Sequence, residues 1–152
     1  MRMAHPKKMM VELKEVSCSD FIVLDSKQEN LADHTFHTHL GIEYFLSAKN
    51  KFLWKITVTV KLIMTKRETG EKASINCTST FIIETDWNFK KYLSHQITLL
   101  LFTELALTTN GFLTAFAIEK SKETVFQEML NRYISYKEMM EIVEETISSQ
   151  LN

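Results

Sequence analysis

Side chains able to do chemistry are few in this sequence, and their spacing decides what they could do. Three histidines, His34, His37 and His39, stand within the six-residue run His-Thr-Phe-His-Thr-His. In an extended segment successive side chains alternate between faces, so His37 and His39 share one face and could share a metal ion, while His34 falls on the other. A structural or catalytic zinc takes three or four protein ligands, and apart from Asp33 and Glu43 no Cys, Asp or Glu stands nearby to complete such a set. The three therefore read as exposed loop and strand histidines, with no metal site. Nucleophilic catalysis would fall to Cys18 or Cys77, the only two cysteines. A reactive thiol sits at a helix N-terminus, beside a base or at an exposed turn. Both of these lie inside alternating apolar stretches, without a CxxC or a second pair, and read as reduced, buried thiols. The adjacent carboxylates Glu144 and Glu145 fall on a polar helix face, where they are ordinary surface charge. No catalytic residue and no cofactor is expected.

The backbone offers no more to an enzyme than the side chains do. Loops that cradle phosphates use glycine because main chain must approach the ligand or take positive φ. Here three glycines, Gly41, Gly70 and Gly111, are scattered singly, and the one proline, Pro6, precedes the patterned region. That argues against most nucleotide-dependent enzymes. Eighteen basic and nineteen acidic residues leave a net charge of -1, too little to steer the chain onto nucleic acid.

At 152 residues, 45% of them hydrophobic and 24% charged, the chain suits one folded domain with a real core. Residues 1–10 read as a flexible N-terminal segment and 11–152 as that domain. Arg2, Lys7 and Lys8 have no apolar run behind them, so a secretory signal is not expected. The most lipid-like stretch, Ile97 to Leu107, is interrupted by Thr98, Thr103 and Glu104 before reaching the roughly 20 residues a bilayer requires. A soluble, cytoplasmic protein without membrane insertion is the expectation.

The elements that must position any site are clearest in the middle of the chain. Phe52, Trp54, Ile56, Val58, Val60, Leu62 and Met64 alternate with polar residues, the mark of a long antiparallel strand with one wet face. The charged segment Lys66 to Lys72 places Gly70 where a hairpin needs positive φ, and alternation resumes through Ala73, Ile75, Cys77, Ser79, Phe81 and Ile83. Val11 to Leu24 reads as an earlier strand with an irregularity around Ser17 to Asp20, and Phe36 to Leu46 as another. The polar stretch Asp25 to Thr35 between them is too long for a tight hairpin. Four strands with one crossover predict a Greek-key-like antiparallel sheet.

Beyond Asp86, a candidate N-cap, the period becomes helical over Asn88 to Leu107. The second half of this helix is apolar nearly all round, which predicts that it is sandwiched or meets a partner subunit. Thr108-Thr109-Asn110-Gly111 reads as its stop, with the glycine in the left-handed C-terminal position, and Phe112 to Ile118 as an apolar connector. A final helix is expected from near Ser121, with a stripe at Phe126, Met129, Tyr133, Tyr136, Met140, Val143 and Ile147. Phe112, Leu113, Phe116 and Ile118 suit two roles equally. They could be plain core, or the lining of a groove that accepts varied apolar side chains.

The order strand, polar crossover, three strands, long helix, glycine stop, apolar loop and last helix resembles the SecB export chaperone family. The resemblance rests on Leu13 to Ile22 as first strand, on Trp54 to Val60 and Ala73 to Cys77 with the Gly70-Glu71 turn as central hairpin, and on Gly111-Phe112 after the long helix. It covers residues 11 to about 149 through pattern and order. It implies an α+β fold and a homo-oligomer, a dimer of dimers packed through Ile97, Leu100, Leu101, Phe102 and Leu105. It further implies a holdase that binds non-native polypeptides without cofactor or turnover, in grooves lined by Phe112, Leu113, Phe116 and Ile118, with Phe36 and Tyr92 as further candidates. Family members that hand cargo to the SecA motor carry outer-face carboxylates. Asp20 matches one of these, but Leu24 and Thr78 stand where others carry Glu, and the proline-rich signature of the helix-loop region is absent. SecA docking is thus poorly matched, and SecB-like chaperones associated with toxin-antitoxin systems fit as well as export chaperones. The rival from another class is a small-ligand carrier with an apolar cavity between curved sheet and helices. An enzyme with an unrecognised site stands third.

Overall fold

The computed structural model describes residues 9–21, 34–47, 49, 52–70, 72–85, 96–120 and 134–151. Among these described residues four strands, β1 (Met9–Phe21), β2 (His34–Leu46), β3 (Leu53–Lys66) and β4 (Lys72–Thr85), precede two helices, α1 (Gln96–Lys120) and α2 (Tyr136–Leu151). All neighbouring strands are antiparallel, in the order β1-β4-β3-β2. Three consecutive strands thus form a meander and β1 returns to its far side, the expected Greek-key arrangement. The fold is α+β, one sheet with helices packed on one face.

Period-two patterning explains why the central hairpin anchors this sheet. Trp54, Ile56, Val58, Val60 and Met64 of β3 and Ala73, Ile75, Cys77, Phe81 and Ile83 of β4 point to one face and are buried. Their alternates form the open face, where the Thr59 and Thr78 hydroxyls meet at 3.0 Å. The hairpin closes as expected at Gly70, whose φ of 71° is the left-handed value glycine adopts without strain. Its N–H donates to the Lys66 carbonyl at 2.8 Å.

In β1 the irregularity lies earlier than expected. The register against β4 shifts between Leu13 and Glu15, which leaves Lys14 as the extra residue of a bulge, whereas Ser17 to Asp20 pair in regular register. The strand also starts at Met9, inside the segment expected to be flexible.

A larger correction concerns the long helix. Thr108-Thr109-Asn110-Gly111 does not stop it, and Phe112 to Ile118 is no loop, because α1 runs unbroken through both. The hydroxyls of Thr103, Thr108, Thr109 and Thr114 donate to carbonyls four residues earlier, at 2.7 to 2.9 Å, so these polar groups are satisfied within the helix. Gly111 does not take positive φ. Leu105, Thr109, Leu113 and Ala117, spaced by four, bury along one side. Burial of that side outweighs the local cost of a glycine. The continuous α1 also overturns the expectation of an apolar stretch too short for a bilayer, since by length and composition alone it could cross one. Here Leu101, Phe102, Leu105 and Leu113 are core, packed over β3 and β4.

Asp86, Phe126, Met129 and Tyr133 lie outside the described residues. In α2 the buried stripe is Met139, Val143 and Ile147. Met140, expected on that stripe, is half-buried beside it, and Tyr136 is largely exposed. The helix packs against α1 and against β2.

Candidate binding cleft

Two elements frame an open concavity among the described residues. Strand β2 ends the sheet, and its backbone direction follows from two hydrogen bonds. Ser47 N donates to Leu53 O of β3 at 2.9 Å, so odd-numbered residues of β2 turn their N–H and C=O groups inward to the sheet. Even-numbered residues then turn theirs outward, and Ile42 O indeed accepts a bond from Gln150 Nε2 of α2 at 2.6 Å. That bond fixes the end of α2 against the sheet edge. The other end is set by Ser135, whose hydroxyl accepts from the Glu138 N–H at 3.1 Å as an N-cap.

Between these two fastenings lies an open cleft of about 410 Å³. One wall is β2 from Phe36 to Leu40, and the other is Ile134 with Glu138, Ile142, Glu145, Thr146 and Ser149 of α2. Phe36 and Ile142 are half-buried against the core and give an apolar patch to a lining that is otherwise largely polar, with His37, Thr38, His39, Thr146 and Ser149 around it. The only carboxylates on the lining are Glu138 and Glu145, two turns apart on one helix face. Phe36, Thr38 and Leu40 have the parity that sends main-chain donors and acceptors outward into this space. No strand lies beyond β2 among the described residues. The arrangement can do two things at once, pair with an extended main chain and bury apolar side chains.

Of the residues expected to line a groove, Phe36 lines this cleft, and it is joined there by His37, His39 and Glu145, which the sequence offered only as strand histidines and surface charge. The others expected to line a groove do not join it. Leu113 is core, Phe112 and Phe116 are half-buried on α1, and Ile118 is 53% exposed. Tyr92 lies outside the described residues. The residues expected at a subunit interface divide likewise. Leu101, Phe102 and Leu105 are buried within the chain itself, with Tyr44 stacked on Phe102 at 6.4 Å between ring centroids. Their apolar surface is already covered, while Leu100 remains exposed and Ile97 half-buried.

Ile134, Ile142 and Thr146 were not legible as site residues, although the Ser135-x-x-Glu138 pattern of a helix start was there to place them. His37 and His39 share the outer face as parity requires, 6.4 Å apart between ring centroids, and His34, expected to be exposed, is buried on the other. Among the described residues no three His, Cys, Asp or Glu side chains converge as a metal site would need.

No family model matches the chain, and no curated protein matches it. Among solved structures, the chain is similar to a SecB-like chaperone of Mycobacterium tuberculosis in complex with a ChAD peptide from the HigA1 antitoxin. The two share 7% identity over 66% of this chain and 74% of that one, with a TM-score of 0.42.

Proposed function

We propose that this protein is a chaperone-type holdase that takes up extended, non-native polypeptide along the edge of β2, beneath α2. The observation that carries the reading is the outward-facing main chain of Phe36, Thr38 and Leu40 at an open, mixed cleft in which Phe36, Leu40, Ile134 and Ile142 supply the apolar part. An added strand gains main-chain hydrogen bonds that are indifferent to sequence, and side-chain pockets add affinity. Such binding needs no cofactor and no turnover. The opening of the cleft along the sheet edge favours a chain over an enclosed small molecule, which is what separates this reading from a ligand carrier. In this reading the protein is cytoplasmic and works as a homo-oligomer through the outer side of α1, where Leu100 and Ile118 are exposed. Its clients come from an export route or from a toxin-antitoxin pair.

The test is suppression of aggregation of a refolding client, together with anisotropy of a labelled unfolded peptide. Wild type should hold the client. Phe36→Glu and Ile142→Glu should each weaken peptide binding by at least about tenfold, the equivalent of losing ~1.4 kcal/mol. Thr38→Pro, which removes an outward N–H, should do the same while the sheet stays folded by circular dichroism. A wild-type protein that neither binds the peptide nor slows aggregation sinks the proposal.

A further inference from the structure

Cys18 and Cys77 face each other across β1 and β4. They are register partners, and the two sulfurs lie 3.1 Å apart, Cys18 Sγ donating to Cys77 Sγ. The backbone sets this closeness. Thr85 N donates to Phe52 O, so odd-numbered residues of β4 aim their main-chain groups at β3. Cys77 shares that parity and turns its main chain away from β1, which makes Cys18 and Cys77 a non-hydrogen-bonded pair. Such pairs bring Cα atoms to about 4.5 Å, within the range a disulfide spans. Both thiols are free. Cys77 is fully buried, whereas Cys18 is half-buried on an edge strand.

The geometry points to a modification site: Cys18 and Cys77 form an oxidisable dithiol that closes into a cross-strand disulfide when a low-molecular-weight disulfide such as oxidised glutathione is present. Cys18, the accessible member, attacks one sulfur of the oxidant as thiolate and releases one glutathione thiolate. The Cys77 sulfur then attacks Cys18 in the mixed disulfide, its proton passes to the departing second glutathione, and the Cys18–Cys77 bond forms. Two protein thiols are oxidised and one glutathione disulfide is reduced to two thiols. Burial, and then the neighbouring Cys18, push the Cys77 thiol up to about 12, which keeps Cys77 protonated in the resting protein. The closed bond fastens β1 to the sheet across a separation of 59 residues.

The chain holds only these two cysteines, so an intramolecular disulfide can only be this one. The native protein is incubated in glutathione redox buffers and read by intact mass and thiol titration. The expected product has lost two hydrogens, retains no glutathione and titrates no free thiol. Its formation constant should exceed that in denaturant by on the order of a hundredfold, and its Tm should rise by on the order of 5–10 °C. Cys18→Ser should leave Cys77 unreacted while native, and Cys77→Ser should stop at a mixed disulfide on Cys18. Wild type that keeps both thiols, that carries one glutathione on each, or that closes no better folded than denatured would overturn the inference. The readout involves no peptide ligand, so it stands apart from the proposed holdase activity.

Discussion

Among the described residues, strands β1 and β2 both end the sheet, but the two edges are finished differently. On the helix-facing side of β2, Leu40 and Ile42 are 5% and 1% exposed, and α2 packs against this strand. On the same side of β1, Met9, Val11, Leu13 and Val16 remain 38 to 45% exposed among the described residues. Main chain shows the opposite trend. The β1 edge carries a bulge and the exposed ion pair of Lys14 with Glu12 at 2.9 Å, both devices that discourage another strand from pairing. The thirteen residues of β2 run in unbroken register, with no lysine or proline among them. The guarded edge is thus β1, and the regular one is the edge beside the cleft, where strand addition is proposed.

Stability measurements can break this comparison. Ile42→Ala should cost about 3 kcal/mol in denaturant unfolding and Leu13→Ala less than about 1, since only the first opens a cavity. Equal losses would mean that β1 is as well covered as β2. At the β1 edge the buried thiol adds a pH term. Cys77 is raised from 9.0 to about 12 by folding, so its contribution is complete below pH 9 and is lost as pH climbs from there through 12. By about pH 10 wild type should have lost about 1.4 kcal/mol that a Cys77→Ala variant does not lose over the same range. At the β2 edge the fastenings of α2 are the smaller levers. Gln150→Ala and Ser135→Ala should each cost about 1 kcal/mol, through the bond to Ile42 O and through the cap. Both should weaken peptide binding more than Leu13→Ala does. The smallest effect is a gain on the helix between the edges. A methyl group at Gly111 would meet nothing within 4 Å, so Gly111→Ala should stabilise the protein by about 0.5–1 kcal/mol. A loss there would restore the glycine stop.

The sheet was legible because β2, β3 and β4 repeat one rule, mainly apolar residues on every second position, for thirteen or fourteen residues, and β1 repeats it on either side of Lys14. Even the Greek-key order could be argued, from the polar stretch between the first two strands. The helices were less so. At Thr108 to Gly111 four residues of low helix preference were outvoted by the burial of Leu105, Leu113 and Ala117, a tertiary term that no local pattern displays. The same error moved Phe112 to Ile118 from helix to loop and with it the expected groove. Of the cleft, Phe36 was legible as a groove residue, whereas His37, His39 and Glu145 were legible only as ordinary strand and helix-face residues. Its other wall depends on which side of α2 meets β2, and the adjacent Met139 and Met140 offered two phases that differ by one helical position.

The extra residue at Lys14 reaches further than its own position. On a pleated strand, facing is a matter of odd and even, and one inserted residue exchanges the two. Ahead of it the odd positions Met9, Val11 and Leu13 take the same face as the even positions Val16 and Cys18 behind it. The bulge therefore acts as a parity correction. It joins two stretches of sequence that are out of step, and without it the second would present its polar residues where the first presents its apolar ones. Lengthening or shortening β1 is tolerable in steps of two on either side of Lys14. A single-residue change anywhere along the strand would undo the correction.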